Sequence, residues 1–149
     1  MELAHPDPAR IHRLKPHAAS NPGAVRSVEC AAWRTPSGLR LVYRLEGSLD
    51  TLSVPPGAPP ARRDGLWRHT CFEAFLRARG EAGYAELNFS PSGEWAAYRF
   101  DAYRTGMRDL DLVGTPQIVT SRDGDVLQID VRVDALPHPW TPVAPLALA

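Results

Sequence analysis

Tyr84-Ala85-Glu86-Leu87-Asn88-Phe89-Ser90-Pro91-Ser92-Gly93-Glu94-Trp95-Ala96-Ala97-Tyr98-Arg99-Phe100 is two short alternating segments set about a Ser-Pro-Ser-Gly turn. Proline suits the second position of a type I turn and glycine supplies the positive φ that closes it, so 84–90 and 94–101 are expected to form a β-hairpin. Successive strand side chains point to opposite faces. A four-residue loop pairs Phe89 with Glu94, Asn88 with Trp95, Leu87 with Ala96, Glu86 with Ala97, Ala85 with Tyr98 and Tyr84 with Arg99. One face then carries Ala85, Leu87, Phe89, Ala96, Tyr98 and Phe100 and belongs in a core. The other carries Tyr84, Glu86, Asn88, Trp95, Arg99 and Asp101. A three-residue loop would bring Arg99 and Asp101 beside Leu87 and Phe89. A slip of one residue exchanges the faces, so the clean partition favours the longer loop.

The flanking sequence has the same character. Val25–Arg34 reads as a strand ended by Thr35-Pro36-Ser37-Gly38. Leu39, Leu41, Tyr43 and Leu45 alternate with Arg40, Val42, Arg44 and Glu46, the pattern of a half-buried strand. Further strands are expected over 48–54, 69–79, 117–120 and 127–133, the last two about a turn at 121–125. The segment 55–63 holds four prolines, lacks the N–H groups a sheet needs, and reads as a long loop. Residues 1–22 read as an irregular N-terminal arm or first strand, and 23–149 as one domain. No segment sustains a helical period over three turns. The expected class is therefore all-β, a jelly-roll-like antiparallel sandwich. Its apolar end, 145–149, looks like a strand cut at its start, so C-terminal strand pairing is expected to be incomplete.

Composition bounds the function. The chain has 149 residues, 44% hydrophobic and 23% charged, an ordinary globular balance. Seventeen basic residues, of which only Lys15 is lysine, meet seventeen acidic ones, and a net charge of +0 argues against a general nucleic-acid binder. No run has the length of a membrane span or a signal peptide, which makes a cytoplasmic home the default. The two cysteines, Cys30 and Cys71, fit buried thiols in a reducing compartment.

The polar–aromatic face of the hairpin is where chemistry is expected. Glu86 and Asn88 project together with Trp95 opposite Asn88, flanked by Tyr84 and Arg99; Glu73 joins if its strand is a neighbour. A ring covers the apolar face of a sugar while carboxylate, amide and guanidinium orient its hydroxyls. The competing reading is a solvated sheet face with one exposed indole. Trp33 and Trp67 read first as core or rim packing. Glu73 and Glu86 as a glycosidase pair, and His69 with Cys71 as base and nucleophile, lack a fixed separation and a third orienting group. The histidines at 5, 12, 17, 69 and 138 show no metal spacing. Haem would have Met107 and His69 as possible axial ligands, with nothing in the sequence to pair them.

Leu66-Trp67-Arg68-His69-Thr70-Cys71-Phe72-Glu73-Ala74-Phe75-Leu76, followed by the hairpin and by Tyr103-Arg104, resembles the DOMON-like proteins of bacteria, grouped with the type 9 carbohydrate-binding modules. The similarity runs from about Leu39 to Val133. The resemblance implies a jelly roll that binds a sugar or, in other branches, haem. It matches Glu73 to a ligand-strand glutamate and Glu86 and Asn88 to the polar strand that follows, with Trp67 and Trp95 as candidate stacking rings. The sequence reading is thus a non-catalytic module for a small polar ligand, foremost a sugar, with no required cofactor. The site residues are Trp67, Glu73, Tyr84, Glu86, Asn88, Trp95 and Arg99. A protein-interaction sandwich and a haem- or redox-binding domain are the alternatives.

Overall fold

The computed structural model describes residues 10–140 and 146–148. Among the described residues ten strands follow in chain order: β1 (Arg10–Arg13), β2 (Val25–Arg34), β3 (Leu39–Gly47), β4 (Phe72–Arg77), β5 (Tyr84–Phe89), β6 (Trp95–Phe100), β7 (Arg108–Asp109), β8 (Gln117–Asp123), β9 (Val126–Val133) and β10 (Leu146–Leu148). They form two five-stranded sheets, ordered β1-β2-β3-β9-β8 and β10-β4-β5-β6-β7. Every strand pair is antiparallel. The chain is an all-β sandwich, as its turn-punctuated alternation requires.

Period-two patterning decides what lies between the sheets. Leu39, Leu41, Tyr43 and Leu45 of β3 and Leu127, Ile129, Val131 and Val133 of β9 face inward. They meet Phe72, Ala74 and Leu76 of β4 and Ala85, Leu87 and Phe89 of β5. Tyr43 ties the layers together. Its ring lies 4.9 Å from that of Phe72, and its hydroxyl donates to the Glu73 carbonyl oxygen at 2.6 Å. A buried hydroxyl without such an acceptor would be destabilising. Among the described residues no helix is long and apolar enough to cross a membrane.

The hairpin register differs from the sequence expectation. Phe89 pairs with Trp95, Asn88 with Ala96, Leu87 with Ala97, Glu86 with Tyr98, Ala85 with Arg99 and Tyr84 with Phe100. Ser90 N–H donates to the Glu94 carbonyl at 2.9 Å, which leaves Pro91, Ser92 and Gly93 as the turn, with Gly93 at φ 94°. The connection is one residue tighter than expected, so β6 presents its opposite face. Trp95 and Ala97 enter the core and Arg99 lies on the inner side, while Ala96, Tyr98 and Phe100 point outward. Side-chain bonding inside the turn favours the tight form: the Ser92 hydroxyl donates to Ser90 Oγ at 2.8 Å, and the Glu94 N–H donates to Ser92 Oγ at 3.2 Å.

Other departures are smaller. The segment 48–54 is not a strand: Leu49–Thr51 forms a 3₁₀ turn, in which Thr51 and Leu52 N–H donate to Ser48 and Leu49 carbonyls. Ser, Asp and Thr favour such local bonding. β4 starts at Phe72, three residues later than expected, because His69 N–H closes a 3₁₀ turn on Leu66. β8 and β9 run on to Asp123 and Val126, leaving a two-residue connection with Gly124 at φ 54°. In the apolar C-terminal run, Leu146–Leu148 pairs with β4 at the edge of the second sheet; Pro145 and Ala149 lie outside the described residues. Within the expected arm, Arg10–Arg13 forms the edge strand of the first sheet; residues 1–9 also lie outside the described residues.

Candidate ligand-binding face

The outer face of the second sheet gathers most of the residues singled out from sequence. β4 contributes Glu73, Phe75 and Arg77; β5 contributes Asn88, Glu86 and Tyr84; β6 contributes Ala96, Tyr98 and Phe100. The register sets Glu73 directly opposite Asn88 and Glu86 opposite Phe75. Glu73 and Glu86 are thus diagonal cross-strand neighbours, within reach of one another on the same face. Asn88 sits between them and donates its Nδ2 to Glu86 Oε1 at 3.1 Å. The residue is only 1% exposed, and among the described residues its Oδ1 has no hydrogen-bond donor. A buried amide oxygen left without a partner is destabilising by about 1–3 kcal/mol.

Burial, and secondarily the neighbouring Glu86, raise the pKa of Glu73 above the ordinary carboxylate range. A carboxyl whose folded pKa is raised contributes stability that is complete below the unfolded value, about pH 4, and lost as pH rises through the folded one. Glu73→Gln has no such proton to lose. The melting temperature of the wild type relative to this variant is therefore expected to fall between pH 4 and pH 8. Parallel thermal melts at several pH values measure it, and curves that stay a constant distance apart would refute the assignment.

Aromatic surface borders the carboxylates. The Phe75 and Tyr84 rings lie 6.2 Å apart at 55°, and Tyr84 stacks on Phe100 at 4.6 Å and 8°. Above β6, the 3₁₀ turn Leu66–Arg68 lays Leu66 on Ala96, Tyr98 and Phe100. The same turn holds Trp67 out, 65% exposed, with the Arg68 guanidinium 5.4 Å from its ring. Of the two packing readings from sequence, core or rim, the exposure of Trp67 rules out the core. Tyr98 is buried beneath this turn and donates its hydroxyl to Asp64 Oδ1 at 2.6 Å.

Five of the seven expected site residues, Trp67, Glu73, Tyr84, Glu86 and Asn88, belong to this face or to the turn over it. Trp95 and Arg99 do not. Trp95 is 8% exposed among core residues, and Arg99 emerges from the inner side with its guanidinium 5.2 Å from the Trp140 ring. Both are excluded from the face by the tighter hairpin. Phe75 was not singled out from sequence, although its place two residues from Glu73 puts it on the same side.

The remaining candidates do not assemble. His69 precedes β4 at one end of the sheet, whereas Met107 adjoins Arg108, the partner of Arg99 at the other end, so they form no axial pair. Burial pushes the Cys71 thiol up to about 12, which keeps it protonated rather than nucleophilic at neutral pH. Cys30 is likewise pushed up to about 12 by burial, and neither cysteine is in a disulfide. Among the described residues no three His, Cys, Asp or Glu side chains gather as a metal site.

Two clefts lie elsewhere, and none of the seven expected residues lines either. One, about 510 Å³, opens at the sandwich edge between the β1–β2 connection and residues 69–72. The other, about 410 Å³, lies between 55–58 and 63–69, where Arg63 and Glu94 already pair at 3.0 Å. The candidate face is a sheet surface roofed over β6 by the turn at Leu66–Arg68, with Glu73, Phe75, Tyr84 and Glu86 half-buried beside it. No protein-family model, curated protein or solved structure matches the chain.

Proposed function

We propose that the chain is a small-ligand binding module, that its site is the outer face of the second sheet, and that its ligand is a sugar. The observation that carries this reading is Asn88. Its oxygen, left without a donor among the described residues beside Glu86 and Glu73, would accept from a ligand hydroxyl once a small turn of the side chain uncovers it. Glu86 and Glu73 supply further acceptors, and Phe75, Tyr84 and exposed Trp67 supply flat apolar surface for sugar C–H groups. The likeness to DOMON-like and type 9 carbohydrate-binding sequences points the same way, with Trp67 rather than Trp95 as the candidate stacking indole. The two free cysteines support a reducing compartment, hence the cytoplasm, for this activity.

Titration of the protein with a panel of mono- and oligosaccharides, followed by tryptophan fluorescence and calorimetry, tests the proposal. Saturable binding is expected, weakened about tenfold or more by Glu86→Ala, which removes a charge-assisted hydrogen bond. Trp95→Phe, which keeps an aromatic ring in the core, is expected to leave affinity unchanged. Flat titrations across the panel overturn the reading. So does binding that survives Glu86→Ala and Trp67→Ala unaltered.

A further inference from the structure

We infer that this face selects a ligand carrying a positively charged amine, an amino sugar if the sugar reading on which this rests is right. The polar groups collected there accept far more than they donate. Glu73 and Glu86 are half-buried neighbours on one face, and neither enters an ion pair among the described residues. The Asn88 amide gives one of its two N–H groups to Glu86, and its oxygen is a third acceptor, buried and without a donor among the described residues.

The protein's own cations do not neutralise the pair. Arg77 shares the face but donates its Nε–H to the Glu81 carbonyl at 3.3 Å. Arg68 lies over Trp67. Elsewhere in the molecule exposed carboxylates do find arginines: Asp130 takes Arg40 at 2.7 Å, Asp101 takes Arg108 at 2.8 Å and Asp50 takes Arg122 at 2.6 Å. Glu29, Asp64, Glu81, Asp111 and Asp123 also form no ion pair among the described residues; what sets Glu73 and Glu86 apart is that they are half-buried neighbours on one face.

A neutral sugar would satisfy the acceptors but leave the charge. An ammonium group placed between the glutamates supplies up to three N–H donors to their carboxylate oxygens, and to the Asn88 oxygen where a turn of that side chain uncovers it, and opposes the glutamates' repulsion through charge-assisted bonds. The electron-rich faces of Phe75 and Tyr84 beside Glu86 attract the same cation. The remaining ring hydroxyls and C–H groups then use the surface that the sugar reading requires.

The experiment compares four compounds by calorimetry at about pH 6, where a primary amine is protonated: glucosamine, N-acetylglucosamine, glucose and cyclohexylamine. Glucosamine is expected to bind at least tenfold more tightly than glucose or N-acetylglucosamine. Its advantage should shrink severalfold in Glu86→Gln and as salt is raised. Equal affinity for glucosamine and glucose overturns the inference and leaves sugar binding standing. Equal binding of cyclohexylamine and glucosamine, with no binding of neutral sugars, removes the sugar and keeps the cation. If neither amine binds, the inference falls whatever neutral sugars do. An amine preference that survives Glu86→Gln undiminished also overturns it, because the charge would then be read elsewhere.

Discussion

Trp95→Ala is expected to destabilise the protein by about 3–5 kcal/mol, the range for emptying an aromatic site in a close-packed core. For a domain of this size that corresponds to a fall in melting temperature on the order of 10 °C. The indole lies on the inner face of β6, paired across the hairpin with Phe89 and packed in the cluster that contains Leu87. Its removal leaves a cavity between two sheets that Tyr43 and Phe72 hold together, so collapse around the hole is limited. The indole N–H has no acceptor among the described residues. Trp95→Phe gives up that unsatisfied donor along with some volume and is therefore expected to be destabilising by much less than the alanine variant. Chemical denaturation measures both. A loss below about 1 kcal/mol for Trp95→Ala would mean that the ring is outside, as on the solvated surface with one exposed indole, because exposed substitutions stay within about ±0.5 kcal/mol.

The same residue shows where sequence patterning reached its end. The turn at 35–38 bounded Val25–Arg34, and alternation located the inward set of β3 correctly because its other side carries Arg40, Arg44 and Glu46. The hairpin offered two registers, and counting apolar residues per face favoured the wrong one. That count assumes that the outer face meets water. Here the turn at Leu66–Arg68 roofs it, so Tyr98 and Phe100 are buried on the outside at 5% and 9% exposure. Arg99 meanwhile reaches solvent from the inner side, its guanidinium over Trp140, as long amphipathic side chains do. Neither contact is local, and no pattern within 84–101 contains them. Glu86 and Asn88 were legible as a pair because residues two apart on a strand share a face whatever the register. Glu73 joined them only once β4 was seen beside β5. Trp67 carried no periodic signal at all, since it stands on a 3₁₀ turn.

Arg62→Ala is expected to lower stability by about 2–3 kcal/mol, and Arg62→Lys to restore only a small part of it. The proline-rich segment before Arg62 has few N–H groups with which to bind the sheet, and its backbone attaches at a handful of points. Ala58 N–H donates to Ser92 at 2.8 Å, Trp95 N–H to Ala61 at 3.0 Å and Arg63 N–H to Trp95 at 2.8 Å. The Arg62 side chain adds further attachments, beside the Arg63–Glu94 ion pair. Its guanidinium donates to the Leu110 carbonyl at 2.9 Å and to the Ala97 carbonyl. It lies 3.3 Å from Asp109 and 5.5 Å from the Trp95 ring centroid. Hydrogen bonds from a charged donor are worth about 1.5–3 kcal/mol, and the exposed Asp109 adds little. An ammonium cannot reproduce the planar fork that reaches two carbonyls at once, which is why lysine is a poor substitute. The anchored segment leads directly into the turn that places Leu66 over Tyr98 and holds Trp67 outward. Loosening it should therefore speed amide exchange across 61–68 more than across β3 and β9, and weaken the ligand that Trp67 helps to bind. Uniform exchange changes in both regions, or a lysine variant as stable as wild type, would show that Arg62 is a surface cation and that the turn over the candidate face is held by something else.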